Sequence, residues 1–215
     1  MLAARSGIDT SYAAMYYPWI TTANSVQLPP SGFVCGIYAR TDTARGVWKA
    51  PANESVIGAM DLQAAIDTYG QERLSAQGIN SIRSFTSRGI LLWGARTTSQ
   101  DPEWKYVNVR RYFIFLEHSI YEGTQWVVFE PNGEALWEAV RRTITDFLLK
   151  NWQSGALLGT KPEEAFFVKC DRTTMTQDDI NNGRLIAVIG VAPLRPAEFV
   201  IIRIGLWTAN RCEDC

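Results

Sequence analysis

Histidine is nearly absent: His118 is the single one in 215 residues. Any Ser-His-Asp or Cys-His arrangement would have to be built on it, and no G-x-S-x-G elbow accompanies it. At helical spacing His118 falls on a different face from Phe113 and Ile120, the place of a surface or second-layer residue. A Walker A loop, a G-x-G-x-x-G turn, the histidine metal motifs and an EF-hand loop are all missing. No apolar run reaches 18 residues, so nothing reads as a membrane-spanning helix. The opening MLAARSGIDTSYAAMYY has no basic stretch followed by a continuous apolar segment, so no secretory signal is read. Charge of one sign is missing too. With 21 Lys and Arg against 22 Asp and Glu, the formal net charge is −1. That excludes a generally basic, nucleic-acid-coating protein and leaves only a local basic patch open.

Cysteine is sparse, with Cys35, Cys170, Cys212 and Cys215. A four-cysteine metal site needs a second close pair, and a redox C-x-x-C belongs at a helix start beside a βαβ pattern. No metal or cofactor is therefore expected. Cys35 and Cys170 are expected as buried small apolar residues. The end of the chain, residues 208–215 with Cys212 and Cys215, reads as a flexible tail.

What the chain does have is apolar and aromatic surface. Hydrophobic residues make up 47% and charged residues 20%, the balance of a folded globular chain able to bury a sizeable core. Eight Trp and eight Tyr are many for this length, and they serve either a large aromatic core or interfaces. No internal repeat or low-complexity segment interrupts it.

The periodicity predicts an α/β (α+β) fold with a mixed sheet flanked by helices. Residues 16–20 (YYPWI) read as an extended aromatic segment, and 28–32 (LPPSG) as a turn and the best domain boundary. This divides the chain into an entry segment over 1–28, an assembly domain over 29–207 and the tail. A helix opens near Pro30, with Val34, Ile37 and Tyr38 at helical spacing, and ends near 40–43. Residues 45–55 read as irregular, and a short helix is expected around 67–76. Two strands, 82–85 and 90–95, flank a turn at 86–89. Val109, Phe113, Leu116, Ile120 and Tyr121 then recur at helical spacing, with Asn108 as the expected cap and Gly123 as the stop.

The clearest helix spans 133–154. Leu136, Trp137, Val140, Ile144, Phe147, Leu148 and Trp152 share one apolar face, and Trp137, Val140, Ile144, Phe147 and Leu148 are expected to be buried. Residues 165–170 (AFFVKC) read as a strand. TQDD, at 176–179, resembles a capping box with Asp in place of Glu, closed by Gly183. Segments 184–191 and 198–207 read as the last strands, joined through PLRP in an antiparallel return.

Charged groups read as structural. Asp178 and Asp179 are adjacent and do not face each other on a helix, so capping and dipole compensation explain them. Arg110, Arg111, Arg141 and Arg142 form two pairs, read as a solvated face with ion pairs within or between subunits. The strand FVIIRI (Phe199, Val200, Ile201, Ile202, Arg203, Ile204) is apolar on both sides and too apolar for a bare sheet edge. It is buried in its own sheet or added to that of another chain.

Long stretches of the sequence resemble contractile tail sheath proteins, the sheath subunits of bacteriophages, R-type pyocins and related injection systems. The stretches are YYPWI, PPSGFVCGIYARTDTARGVWKAPAN, GINSIRSFTSRGILLWGARTTSQDPEWKYVNVRR, EGTQWVVFEPN, EEAFFVKCDRTTMTQDDINNGRL and VIGVAPLRPAEFVIIRI. They stand in order from about Tyr12 to Trp207 and point to the family's C-terminal domain.

The resemblance implies a structural subunit that polymerises as stacked hexameric rings around an inner tube. Contraction of the lattice then drives the tube through a target envelope. It implies neighbouring sheath subunits, the inner tube protein, and baseplate and terminator proteins as partners, without direct nucleic acid contact or membrane insertion. It implies bacterial cytoplasm during assembly and a phage tail or extracellular injection particle when mature. It also implies β-augmentation between subunits, with Phe199, Val200, Ile201, Ile202, Arg203 and Ile204 as the linking strand. A tube contact through Thr176, Gln177, Asp178, Asp179, Asn181 and Asn182 follows from the family's C-terminal domain facing the tube. Such proteins usually carry substantial sequence before the segment resembling Tyr12 to Ile20, and its absence here implies a fragment, a truncated product or an unusually short sheath. The alternative is a small α/β enzyme with an unrecognised active site, which would require a cleft with convergent polar groups and perturbed ionisation.

Overall fold

The structure, a computed structural model, describes residues 7–198. Strands β1 (Met15–Tyr17), β2 (Ile20–Thr21) and β3 (Gln27–Leu28) lead to helix α1 (Ser31–Arg45). Short strands β4 (Glu54–Ser55) and β5 (Asp61–Leu62) precede α2 (Thr68–Ala76), β6 (Ile79–Phe85) and β7 (Gly89–Trp93). A 3-10 turn at Pro102–Trp104 opens α3 (Val107–Gly123), and a second at Gln125–Val127 separates it from α4 (Glu134–Gln153). The described chain closes with α5 (Pro162–Ala165), β8 (Phe166–Lys169), α6 (Gln177–Asn181) and β9 (Val188–Val191).

The main sheet is mixed, in the order β1-β6-β7-β4. The β6–β7 hairpin was legible from its alternation, and its turn closes through Gly89 at φ 73. Ile82 and Leu92 face each other across the hairpin, both fully buried. Strand β1 lies parallel to β6, and β4 antiparallel to β7, where the sequence suggested only irregular chain. Helix α1 packs Val34 and Ile37 against Ile20, Val56, Ile82 and Leu92 to make the first core. A second, three-stranded sheet, β3-β2-β5, shares Ile20 with that core. Helices flank the sheets as the periodicity predicted.

The second core lies between α3 and α4. Tyr112 and Leu116 of α3 meet Trp137, Val140, Ile144 and Leu148 of α4, with Ala156, Leu157, Ala165, Cys170 and Met175 closing the cluster. Glu134 begins α4 and Lys150 lies in its last turn, as the helix dipole favours.

Several expectations need correction. Phe147 is only half-buried, because its position places it at the margin of the face, where it meets the partly exposed Phe115 at 6.1 Å between ring centroids. Cys35 is exposed rather than buried, lying on α1 beside Gly36 and away from the Val34 and Ile37 stripe. Cys170 is buried as expected. Asn108 does not cap α3. Tyr106 occupies that position, and Asn108 sits inside the helix, buried, donating through Nδ2 to the carbonyls of Trp48 (2.9 Å) and Leu194 (3.2 Å). Helix α1 continues to Arg45, past the expected stop.

At the end of the described chain, the strand expected over 184–191 is confined to β9. Its antiparallel partner is β8, with Phe166 opposite Val191 and Lys169 opposite Val188. The expected last strand, with Phe199 to Ile204, and the tail with Cys212 and Cys215 lie outside the described residues.

Candidate assembly surfaces

Helix α6 and its flanks carry the residues expected at a tube contact. Both halves of the capping box form: the Thr176 side chain accepts from the Asp179 amide at 3.2 Å, and the Asp179 carboxylate accepts from the Thr176 amide at 3.0 Å. Asp therefore substitutes for Glu in this box. Hydrogen bonds from the Thr176 hydroxyl, then from its amide, outweigh slight desolvation and hold the Asp179 carboxyl below its usual range, with Arg184 adding to the effect. Arg184 pairs with both Asp178 and Asp179 at 3.0 Å. Gly183, at φ 69, makes the turn that lets Arg184 fold back. Ile180 packs against the second core. Thr176, Gln177, Asp178, Asn181 and Asn182 remain exposed, and the Asp179 side chain is largely covered. The sequence-predicted group is thus brought together on one turn of chain.

Strands β8 and β9 pair only with each other among the described residues. Phe166 and Val168 lie against the α3–α4 core, while Phe167 and Lys169 point outward. The Phe167 ring lies across Gly190, where a Cβ would fall 2.1 Å from a ring carbon. Gly190 thereby lets the aromatic ring cover the otherwise bare strand.

Between β9 and Glu198 the described chain forms no helix or named strand, yet it is pinned repeatedly. Leu158 donates its amide to the Ala192 carbonyl at 2.8 Å, and Asn108 reaches the Leu194 carbonyl. Glu198 takes the last pin among the described residues. Its carboxylate accepts from Arg96 Nε at 2.5 Å and Nη2 at 2.7 Å, from the Tyr106 hydroxyl at 3.0 Å and from Lys105 at 3.3 Å. Burial opposes its charge, but the Arg96 hydrogen bonds and charge, aided by Lys105 and Tyr106, hold its carboxyl below the ordinary glutamate range. Sequence reasoning missed this site, since its members are scattered over a hundred residues.

Sequence reasoning also missed an apolar surface just after α3. Tyr121, Trp126, Val128 and Phe129 are all exposed, and the Phe129 side chain stands wholly free of cover. Phe129 also adopts φ 70, a backbone region uncommon for a bulky residue. The available signal was the run WVVF, an apolar stretch between two helices without a periodic partner.

The arginine pairs resolve mainly into intramolecular contacts. Arg110 stacks over Trp104 at 3.5 Å and over Tyr12 at 4.4 Å. Arg111 grips Asp42 through both terminal nitrogens, at 2.9 and 2.5 Å, and lies over Tyr38. Arg141 pairs with Glu138, one turn away on α4, and Arg142 is exposed. His118 is exposed on α3. A cleft of about 660 Å³ is lined by Gly78, Arg96, Thr97, Ser99 and Lys105, among others. No group of His, Cys, Asp and Glu suited to a metal occurs among the described residues.

Comparison with known proteins accounts for this architecture. Residues 3–98 match the phage tail sheath protein central domain, and residues 99–206 match the phage tail sheath C-terminal domain. The structure resembles a chain of an extracellular contractile injection system, the PVC sheath complex in its contracted state. The TM-score is 0.91 at 39% identity, covering 94% of this chain and 58% of that one. It also resembles a chain in the anti-feeding prophage baseplate, with a TM-score of 0.89 at 42% identity, covering 93% of this chain and 56% of that one. The tail sheath protein of Vibrio phage KVP40 is 26% identical over 179 residues, which are 81% of this chain and 26% of that protein. The chain therefore spans little more than half of the solved sheath chains and about a quarter of that phage protein. The two matched regions meet between Thr98 and Ser99, and together they make this chain a member of the phage tail sheath family.

Proposed function

We propose that the chain forms the inner, lattice-building part of a contractile sheath subunit, assembling with copies of itself as stacked hexameric rings around an inner tube. The observation that carries this reading, beside family membership, is the two-stranded β8–β9 sheet, which has no further ladder partner among the described residues. An added strand gains backbone hydrogen bonds along such an edge, and Phe199, Val200, Ile201, Ile202, Arg203 and Ile204 have the apolar composition for one. Residues 29–207 act as one assembly unit, entered by 1–28. This is supported by the parallel pairing of β1 with β6 and by the Arg111–Asp42 pair that ties α3 to α1. The subunit works by polymerising and changing lattice, without catalysis. Its further partners are the tube, baseplate and terminator proteins. It assembles in the bacterial cytoplasm and acts in a phage tail or extracellular injection particle.

The test restores a full-length subunit and deletes residues 198–215. Polymerisation is expected to be lost, as scored by electron microscopy. Sheaths that still form and contract normally would reduce the segment to an ordinary element of its own domain.

The α6 region is the proposed tube contact, through Thr176, Gln177, Asp178, Asp179, Asn181 and Asn182. Single exposed charge pairs contribute about 0–1 kcal/mol, but a ring repeats them. Replacing Asp178 and Asp179 together by Asn keeps capping capacity while removing charge. Tube attachment should weaken and lose part of its salt dependence in a co-sedimentation assay. Attachment unchanged at every salt concentration would assign these residues to capping alone.

A further inference from the structure

We infer that Glu198 is the anchor through which the terminal segment is held to the body of the subunit, with Arg96, Lys105 and Tyr106 as its socket. The inference rests on the reading of Phe199 to Ile204 as a linking strand, because an anchor matters most where the lattice pulls.

The socket is built from residues remote in sequence. Arg96 follows β7, and Lys105 and Tyr106 precede α3. Arg96 thus lies in the region matching the central domain, and the other two in that matching the C-terminal domain. Glu198 joins both, so tension on the segment beyond it is shared between them. The Arg96 guanidinium is itself immobilised. Nε and Nη2 face Glu198 as a two-pronged fork, while Nη1 donates to the Ser75 carbonyl at 2.5 Å, at the end of α2. The Arg96 backbone is clamped from below by buried Asn80, whose Oδ1 accepts its amide and whose Nδ2 donates to its carbonyl, both at 2.7 Å.

Two features separate this from an ordinary surface ion pair. The side chains are largely covered, at 14% exposure for Arg96 and 21% for Glu198. The geometry is bidentate, with a third bond from the Tyr106 hydroxyl, which favours a charge-assisted contact stronger than an exposed pair. The position is informative as well. Between β9 and Glu198 the hydrogen bonds that hold the chain come from backbone amides and the Asn108 side-chain amide, and Glu198 is the one carboxylate in the sequence from Val188 to Glu198. It stands directly before FVIIRI in the sequence.

Hydrogen exchange of the full chain tests the anchor without requiring assembly. Glu198→Gln keeps size and removes the charge. It should raise exchange at the hydrogen-bonded amides around the socket and along the terminal segment, Thr97, Val107 and Ala192, by about tenfold or more, with the α3–α4 core amides unchanged. Tyr106→Phe, which removes one bond and no charge, should raise it by about threefold. Exchange unchanged in Glu198→Gln overturns the anchor. Deleting residues 199–215 in a full-length subunit, which leaves Glu198 in place, tests the linking strand separately. Faster exchange in Glu198→Gln alongside normal polymerisation of the deletion keeps the anchor and removes the strand exchange. Unchanged exchange alongside failed polymerisation does the reverse.

Discussion

Trp137→Ala is expected to destabilise the chain by about 3–5 kcal/mol, the usual range for truncating a buried aromatic residue. Trp137 is 3% exposed at the centre of the α3–α4 core. Its ring fills space shared with Val140, and the Arg172 guanidinium lies over it at 5.3 Å from the centroid. Its indole Nε1 donates to Asn132 Oδ1 at 2.8 Å. Asn132 in turn donates to the Arg184 carbonyl at 3.2 Å, just past α6. The substitution therefore opens a cavity and frees an acceptor that positions the turn after α6. Phe147→Ala provides the internal comparison. Half-buried, Phe147 should lose only about 1–2 kcal/mol of the burial contribution. Chemical denaturation measures both. A Trp137→Ala loss under about 1 kcal/mol, or a larger loss for Phe147→Ala, would show the packing to be wrong.

Asn80→Ala is expected to lower stability by about 3 kcal/mol, through unmet polar groups rather than lost volume. Asn80 is 2% exposed in β6. Its side chain serves three backbone groups: the Arg96 amide and carbonyl at 2.7 Å, and the Met15 carbonyl at 3.1 Å. Burying a backbone polar group without a partner costs about 1–3 kcal/mol. The close approach depends on Gly94, where an added Cβ would sit 2.8 Å from Asn80 Oδ1. Asn80→Asp separates chemistry from size. It keeps the acceptor for the Arg96 amide but turns the donor into a second oxygen facing two carbonyls, so it should cost at least as much as Asn80→Ala at neutral pH. Thermal and denaturant unfolding of the two variants checks this. An Asp substitution tolerated within about 0.5 kcal/mol would contradict the network, because surface-like behaviour has that magnitude.

Helix α4, the β6–β7 hairpin and the α6 capping box were legible because each depends on neighbours within a few residues. Trp137, Val140, Ile144 and Leu148 declare a face by their spacing alone, and Thr176 with Asp179 declares a cap. Asn108 shows where such reasoning stops. It has the right type and position for a cap, but the carbonyls of Trp48 and Leu194 claim its side chain. Cys35 shows the same limit from the other side. Its small apolar character suits burial, and only the orientation of α1 over the sheet decides that it faces out.

The sequence by itself determined the longer helices and the hairpin, the pattern that resembles a sheath protein, and the scarcity of groups for nucleophilic chemistry. These follow from residue type at short spacing. Only the tertiary structure decided that β9 pairs with β8, that Phe129 stands uncovered, and that Asn80, Arg96, Tyr106 and Glu198 form one connected network. The physical reason is separation along the chain. A periodic face is written in consecutive turns, whereas a carboxylate held by an arginine a hundred residues away is specified by no local pattern and forms only when the fold has brought them together.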